Sequence, residues 1–516
     1  MKLIILLLFP FSIVSGQSYD LVIKNARIVD GTGNAWYRGD IAIDKGKIAV
    51  IGQVDGRIKK TIDAQGQIVA PGFIDIHTHV EHTISSIPTA GNFIHDGVTT
   101  IITGNCGSSE VNIEHFFKRL QTKPTSVNIG TLIGHNDVRE FVMKKEMRSP
   151  SPSEQQRMES LVAKAMQDGA LGLSTGLIYI PGTYAETSEV IGLAKAASAE
   201  GGVYVSHIRN EGATVKEALE EAINIGREAN MPVQISHFKI SAKPLWGKSY
   251  ETIGMVEAAR KEGIDVTIDQ YPYTASSTNM GTMLPSWALA GGDAETHKRL
   301  MNPAMRKKIK TEMLKELKAD DRTNFDYAVI ARYAPDTLLQ GKSISQINKA
   351  KNRPETADSE AELIINLVDK GFAQMVFHKM SEDDVQAIVR YPFTMIASDA
   401  GVYTFNKSQP HPRGYGSNAR VLGRYVRDFQ ALGLEEAIRK MTSLPASRFG
   451  IKNRGLLQEG YAADLVIFDE NTIKDEATFD KPHAYSTGIS YVIVNGEITL
   501  ENGKHTGALK GEIVRR

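Results

Sequence analysis

Short apolar runs alternate with helical stretches through the middle of the chain, and this alternation narrows the fold more than any other feature. Residues 97–104, 126–133, 171–174, 203–206, 233–236, 266–269 and 393–397 read as short buried strands. An opening run at 68–76 brings the total to about eight, the number a (β/α)8 barrel needs. Helical patterns lie between several of them, at 154–167, 188–199, 215–229 and 250–262. Parallel strands joined by helices form right-handed βαβ units.

The two ends of the chain look different from the middle. Residues 19–68 alternate apolar and polar positions between Gly, Asp and Asn turns. Short strands at 463–469, 492–498 and 503–505, with an Asn-Gly turn, close the chain. Two β-rich ends around a βα middle predict one domain assembled from both termini, 19–70 with 450–516, and a barrel over 71–449. The stretch 284–370 breaks the barrel rhythm. It is long, charged and helix-rich (305–318 and 358–370), so it reads as an insertion after the seventh strand, a lid or subdomain.

The strand ends carry the chemistry. On a strand, residues i and i+2 share a face, so His77 and His79 project together from the end of the opening run. Cys106 follows the second strand, His207 and His237 end two later ones, and Asp399 ends the last. Catalytic residues of barrel enzymes gather at the C-terminal ends of the strands. Six side chains far apart in sequence and able to bind a metal therefore converge on one pocket, which favours a transition-metal site over a set of packed core residues. His135 also ends a strand, where it either orients a ligand or packs as a buried polar group. His82 and His95 read as surface or loop residues. Arg413, on a loop after the last strand, pairs with an anionic substrate or braces the loop.

Lysine and arginine balance aspartate and glutamate at 60 each, and no basic stripe stands out, which argues against nucleic acid as a partner. Residues 1–18 read as a secretory signal peptide. Lys2 is followed by an apolar run at 3–14 and by Val14-Ser15-Gly16. That run is too short for an ordinary spanning helix. The expectation is an exported protein, periplasmic or secreted, with no membrane contact beyond the leader. Cys106 is the only cysteine, so no intramolecular disulfide forms, and coordination to a metal gives an exported lone thiol a reason to be there.

The motifs PGFIDIHTH, GNCG, GHND, STGLIYIPG, SHIRNEG, ISHFK, QYPYTASST, ASDAG, HPRGYG and ADLVIFD together resemble the amidohydrolase superfamily. Within it they resemble the N-acyl-D-amino-acid deacylases, the D-aminoacylases, over essentially the whole chain after the leader. The resemblance implies a metal-dependent (β/α)8 TIM-like barrel with a small β-sandwich domain built from both termini. It also implies a zinc held tightly by Cys106, His207 and His237. A second, often weakly filled site would be formed by His77 and His79 with Cys106 shared. Asp399 would be the catalytic base beside the metal, and Lys239, Tyr179, Tyr271 and Ser277 would surround the substrate. Other branches carry a carboxylated lysine where Cys106 stands. Departures from the family pattern are Val80-Glu81 after the second histidine, Phe238 in ISHFK and Ala400 after Asp399. No expected ligand is lost, and the changes bear on substrate choice.

Amide hydrolysis needs a strong nucleophile, a polarised carbonyl and a protonated leaving amine. A thiolate and two imidazoles leave zinc an open position for the first two tasks. Asp399 is placed to accept a proton and pass it to the departing nitrogen, with Asp399 also a plausible ligand. Lys239 and the tyrosines offer cationic and hydroxyl partners for a carboxylate or an oxyanion. The expected substrate is a small molecule, an N-acyl-D-amino acid or a related D-configured dipeptide. The rival readings are a cyclic-amide hydrolase of the hydantoinase or dihydroorotase type, disfavoured by Cys106 in place of lysine, and an inactive binding protein on the same fold, which would be expected to lose ligands.

Overall fold

The computed structural model describes residues 18–516, so all of the expected leader but Ser18 lies outside the described residues. Eight short strands run parallel. They are β1 (Phe73–Asp75), β2 (Val98–Thr103), β3 (Asn128–Thr131, resuming as Ile133–Gly134), β4 (Gly172–Gly176), β5 (Val203–His207), β6 (Val233–Ile235), β7 (Val266–Gln270) and β8 (Thr394–Ile396). Each pairs with the next in chain order. Just beyond the ends of β8 and β1, Thr78 and Ala400 form a parallel bridge. This is a TIM-barrel-like α/β fold.

Helices cover the strands because their apolar residues fall on one face. Val215–Ala229 buries Val215, Leu219, Ala222, Ile223 and Gly226, a helical stripe. Pro152–Gln167 begins at a capping box in which Ser151 and Glu154 satisfy each other's backbone N–H groups. Ile74, Ile102, Val205 and Met395, from strands spread around the set, meet Leu132 and Leu171, which lie next to strands, in one buried cluster. Among the described residues no helix is long and apolar enough to cross a membrane.

Strands from both ends of the chain form one nine-stranded sheet. Ile68–Pro71, from the N-terminal part, pairs antiparallel with Leu465–Phe468, from the C-terminal part. The Asn495-Gly496 turn between Ile489–Val494 and Glu497–Glu501 has positive φ at both positions, as a tight hairpin requires.

Two elements differ from the sequence expectation. The run 68–76 is two strands in two sheets. Ile68–Pro71 belongs to the terminal sheet and β1 to the barrel-like set, and the chain crosses between them at Gly72. A Cβ on Gly72 would lie 2.2 Å from Cγ2 of Thr99, so only glycine fits the crossing. The insertion is also more than helices. Besides Pro303–Ala319 and Ala357–Lys370 it holds a three-stranded antiparallel sheet of Ser276–Asn279, Gln374–Phe377 and Ala328–Arg332, extending past both limits of 284–370. Met280, Leu300, Ile309, Ile330, Ile364 and Phe377 are among the residues of its own hydrophobic core.

Candidate metal centre and cavity

The candidate ligands are held by backbone before any metal is considered. His77 N–H donates to the Asp75 carboxylate at 3.1 Å, Thr78 N–H to Ile102 O at 3.1 Å, and His79 N–H to Ala400 O at 2.9 Å. Asp399 N–H donates to His77 O at 2.9 Å. These bonds lock the His77–His79 arm to the Asp399 arm. Cys106, His237 and Asp399 all sit at positive φ, 52°, 35° and 51°. Non-glycine residues seldom adopt that conformation, and strain of this kind collects at functional sites. Gly176 ends β4 where a Cβ would lie 2.1 Å from the Cys106 carbonyl oxygen, so glycine lets the Cys106 loop close onto that strand.

Cys106 Sγ is the hub. It lies 3.2 Å from His77 Nε2, 3.6 Å from His207 Nδ1 and 3.6 Å from His237 Nε2. Asp399 Oδ1 lies 3.2 Å from His79 Nε2 and 3.6 Å from His77 Nε2. Three overlapping triads have ligand atoms all within 4.8 Å of one another: His77–His79–Cys106, Cys106–His207–His237 and His77–His237–Asp399. All six residues expected as ligands therefore meet.

The electrostatics suit a cation. Burial pushes the Cys106 thiol up, but His77 and hydrogen bonds from His207 and His237 hold it well below its ordinary range. Burial likewise opposes ionisation of Asp399, yet Arg413, His77 and His79 hold its carboxyl well below the usual value. His77 is raised well above its own ordinary value, against burial, by Cys106, Asp399 and Asp269. Two anionic ligands are thus balanced by protons on imidazoles, and a divalent cation can take the place of those protons. His207 Nε2 is buried without a hydrogen-bond partner, and His77 Nδ1 faces only the Asp269 carboxylate, at 3.5 Å. The donor set of one sulfur, four imidazoles and one carboxylate matches zinc.

A cavity of about 330 Å³ elsewhere in the molecule touches none of these residues, whereas one of about 590 Å³ opens onto His79, Cys106 and Asp399. Tyr179, Ser277 and Arg413 also line the larger one. The Tyr179 ring stands 4.8 Å from that of His207, and its hydroxyl accepts a hydrogen bond from Thr278. Ser277 donates to Met375 O. Arg413 begins the helix Arg413–Arg420 and pairs with Asp399 Oδ2 at 2.9 Å. The two other residues expected around the substrate do not line the cavity. Lys239 is 5% exposed, and its ammonium is held by Glu211 at 2.5 Å. Tyr271 is 1% exposed and lies between that ammonium and Arg413, 5.5 and 4.4 Å from its ring.

Other histidines fall elsewhere. His135 joins a buried cluster with Glu189 and Arg139. His95 does lie in a loop, the turn after the helix Gly91–Ile94, but it is buried there and stacks on Tyr485 at 3.7 Å.

Compared with known protein families, residues 60–500 match the one described as "Amidohydrolase family". The chain belongs to the amidohydrolase family. Among amidohydrolases of known activity, the D-aminoacylase of Alcaligenes xylosoxydans xylosoxydans is 34% identical over 97% of this chain and 98% of its own. The N-acyl-D-glutamate deacylase of the same organism is 33% identical over 93% of both. The solved structure of the N-acyl-D-glutamate deacylase from Bordetella bronchiseptica, complexed with zinc and a phosphonate mimic of the tetrahedral intermediate, is similar with a TM-score of 0.83. It is 31% identical and covers 97% of this chain and 100% of that one.

Two carboxylates of this amidohydrolase site escaped the sequence reading. Glu211 Oε1 lies 2.8 Å from His237 Nδ1. Asp269, on β7, accepts His237 N–H at 2.7 Å and lies 3.5 Å from His77 Nδ1. The available signal was chemical: metal-bound imidazoles usually donate their second nitrogen to a carboxylate. Glu211 stands in SHIRNEG, four residues past one expected ligand, and Asp269 directly precedes QYPY.

Proposed function

We propose that this amidohydrolase cleaves the amide bond of N-acyl-D-amino acids, or of related D-configured dipeptides, with zinc, releasing a carboxylate and a free D-amino acid. The observation that carries the reading is Cys106 within 3.6 Å of three imidazole nitrogens at the floor of a cavity that also exposes Asp399. The D configuration rests on the substrates named for the two Alcaligenes relatives.

Cys106, His207 and His237 would hold the tighter zinc, and His77 and His79 with Cys106 a second one. When bound, zinc activates water and polarises the substrate carbonyl. The remaining tasks belong to side chains. Asp399, kept ionised by Arg413, accepts the proton of the attacking water and returns it to the leaving nitrogen. Arg413 also offers a guanidinium at the cavity wall for the substrate carboxylate. Tyr179 and Ser277 border the same space. Lys239 and Tyr271 act from beneath, one on His237 and Glu211, the other under Arg413. A cyclic-amide hydrolase is disfavoured because Cys106 takes the place of its bridging lysine, and Lys239 is engaged by Glu211.

The same reading extends to architecture and location. The eight parallel strands would form a closed (β/α)8 barrel over 71–449. Residues 19–70 and 450–516 would form a β-sandwich domain, and the insertion would act as a wall or lid of the site. The sequence of the leader supports export.

The test is hydrolysis of matched N-acetyl-D- and N-acetyl-L-amino acids by zinc-loaded protein, alongside metal analysis. Activity confined to the D series with about one to two zinc per chain is expected. Equal rates on both series would remove the substrate class and leave the fold standing.

A further inference from the structure

Arg332 ends the insertion strand Ala328–Arg332 and lines the cavity. Its position is set by a bulge. The register against Gln374–Phe377 runs Ala328↔Phe377, Val329↔Val376 and Ile330↔Met375, then slips so that Arg332 faces Gln374. Regular alternation would put Arg332 on the same face as Ala328 and Ile330, which are both buried in the insertion's core. The extra residue, Ala331, turns the strand so that Arg332 leaves that core and stands exposed at the cavity. Bulges of this kind re-aim side chains beside functional sites.

The neighbours are already engaged. Gln374 donates to Ser277 Oγ at 3.0 Å, and Arg413 is paired with Asp399. Across the cavity, Asp137 accepts from Ser108 and Ser109, and Glu140 lies 3.8 Å from Lys145. Among the described residues no ion pair or side-chain hydrogen bond engages the Arg332 guanidinium. The cavity thus has an uncommitted cation on the wall that the insertion supplies. Its volume, about 590 Å³, suits a ligand longer than a minimal acetylated amino acid.

We infer that Arg332 binds a second carboxylate of the substrate, beyond the one on the α-carbon. This rests on the deacylase reading above. The second carboxylate has two sources, the side chain of an acidic D-amino acid or the far end of an acidic acyl group. A planar guanidinium takes either one in a paired, two-bond geometry.

The experiment compares kcat/KM within two pairs, using zinc-loaded full-length protein: N-acetyl-D-glutamate against N-acetyl-D-glutamine, and N-succinyl-D-alanine against its neutral succinamoyl analogue. The wild-type chain should favour the charged member of at least one pair by about fivefold or more, the pair identifying the source. Arg332→Gln should erase the preference, mainly through KM, and Arg332→Lys should keep part of it. Added salt should weaken it, because the side chain is exposed. A wild-type chain without charge preference, or a preference that survives in Arg332→Gln, overturns the inference alone. Hydrolysis of none of the four compounds overturns the deacylase reading, and this inference with it.

Discussion

Glu211 Oε1 stands 2.8 Å from Nδ1 of His237, while the other nitrogen of that ring faces Cys106 at 3.6 Å. Lys239 Nζ lies 2.9 Å from the same Nδ1. If the ammonium donated to Nδ1, the neutral ring would carry its proton on Nε2 and lose the lone pair that binds metal. The Glu211 carboxylate selects the other tautomer by accepting from Nδ1 and occupying Lys239.

Glu211→Gln keeps the volume and removes the charge that makes this selection. The expected result is a zinc affinity about 10- to 100-fold weaker, read by competition with a chromogenic chelator. Wild-type affinity in this variant would mean that Glu211 serves Lys239 and not the metal.

Cys106 belongs to two of the three ligand triads, so its loss should empty both sites together. Cys106→Ala is expected to bind less than about a tenth of the wild-type zinc and to show no hydrolysis. Because ligands that bind only the folded state stabilise it, chelation should lower the wild-type unfolding temperature and leave that of Cys106→Ala nearly unchanged. Calorimetry with and without EDTA checks both halves.

The parts of this site that were legible in the sequence share a physical cause. A buried strand is an unbroken apolar run, so a histidine or aspartate at its end marks where the chain leaves the core, as with His207 after Val203 and Asp399 after Ile396. What stayed hidden depends on tertiary contact. The break falls at Pro71-Gly72, a turn signal masked by the strands on either side, Ile-Val-Ala-Pro and Phe-Ile-Asp, which are both fully buried. Ser276–Asn279 is polar and half-buried, so nothing in Ser-Ser-Thr-Asn announces a strand until Gln374–Phe377 pairs with it. The positive φ at Cys106, His237 and Asp399, and the slip that frees Arg332, are backbone events without a composition of their own.

Lys440 gives a pH test away from the metal. It is fully buried on the helix Leu434–Met441, and its ammonium donates to Tyr391 O and Thr394 O. Burial pushes its pKa down to about 7, against an upward pull from Glu436. The unfolded chain holds that proton up to about pH 10.4. Between these values the unfolded state binds the extra proton, so the folded state gains stability as pH rises and loses it as pH falls toward 7. Lys440→Met has no such group. The stability of the wild type relative to this variant should therefore improve by more than about 1 kcal/mol between pH 7 and pH 9.5 in parallel denaturant titrations. A constant difference across that range would show that Lys440 stays charged in the fold.

Gly72 carries the chain from the terminal sheet into the first barrel-like strand, with Thr99 packed against it. An added methyl would meet Thr99 Cγ2 at 2.2 Å, Oγ1 at 2.3 Å and Cβ at 2.8 Å. Thr99 is fully buried within β2, so it cannot swing aside without disturbing its neighbours. Gly72→Ala should therefore cost about 1–3 kcal/mol, the range for overpacking a tight core. Thr99 is the clashing partner, so Thr99→Ala in the same background should return much of that loss, as contacting residues couple non-additively. Urea unfolding of the two single variants and the double variant measures the coupling, and a purely additive result would place the strain somewhere other than this contact.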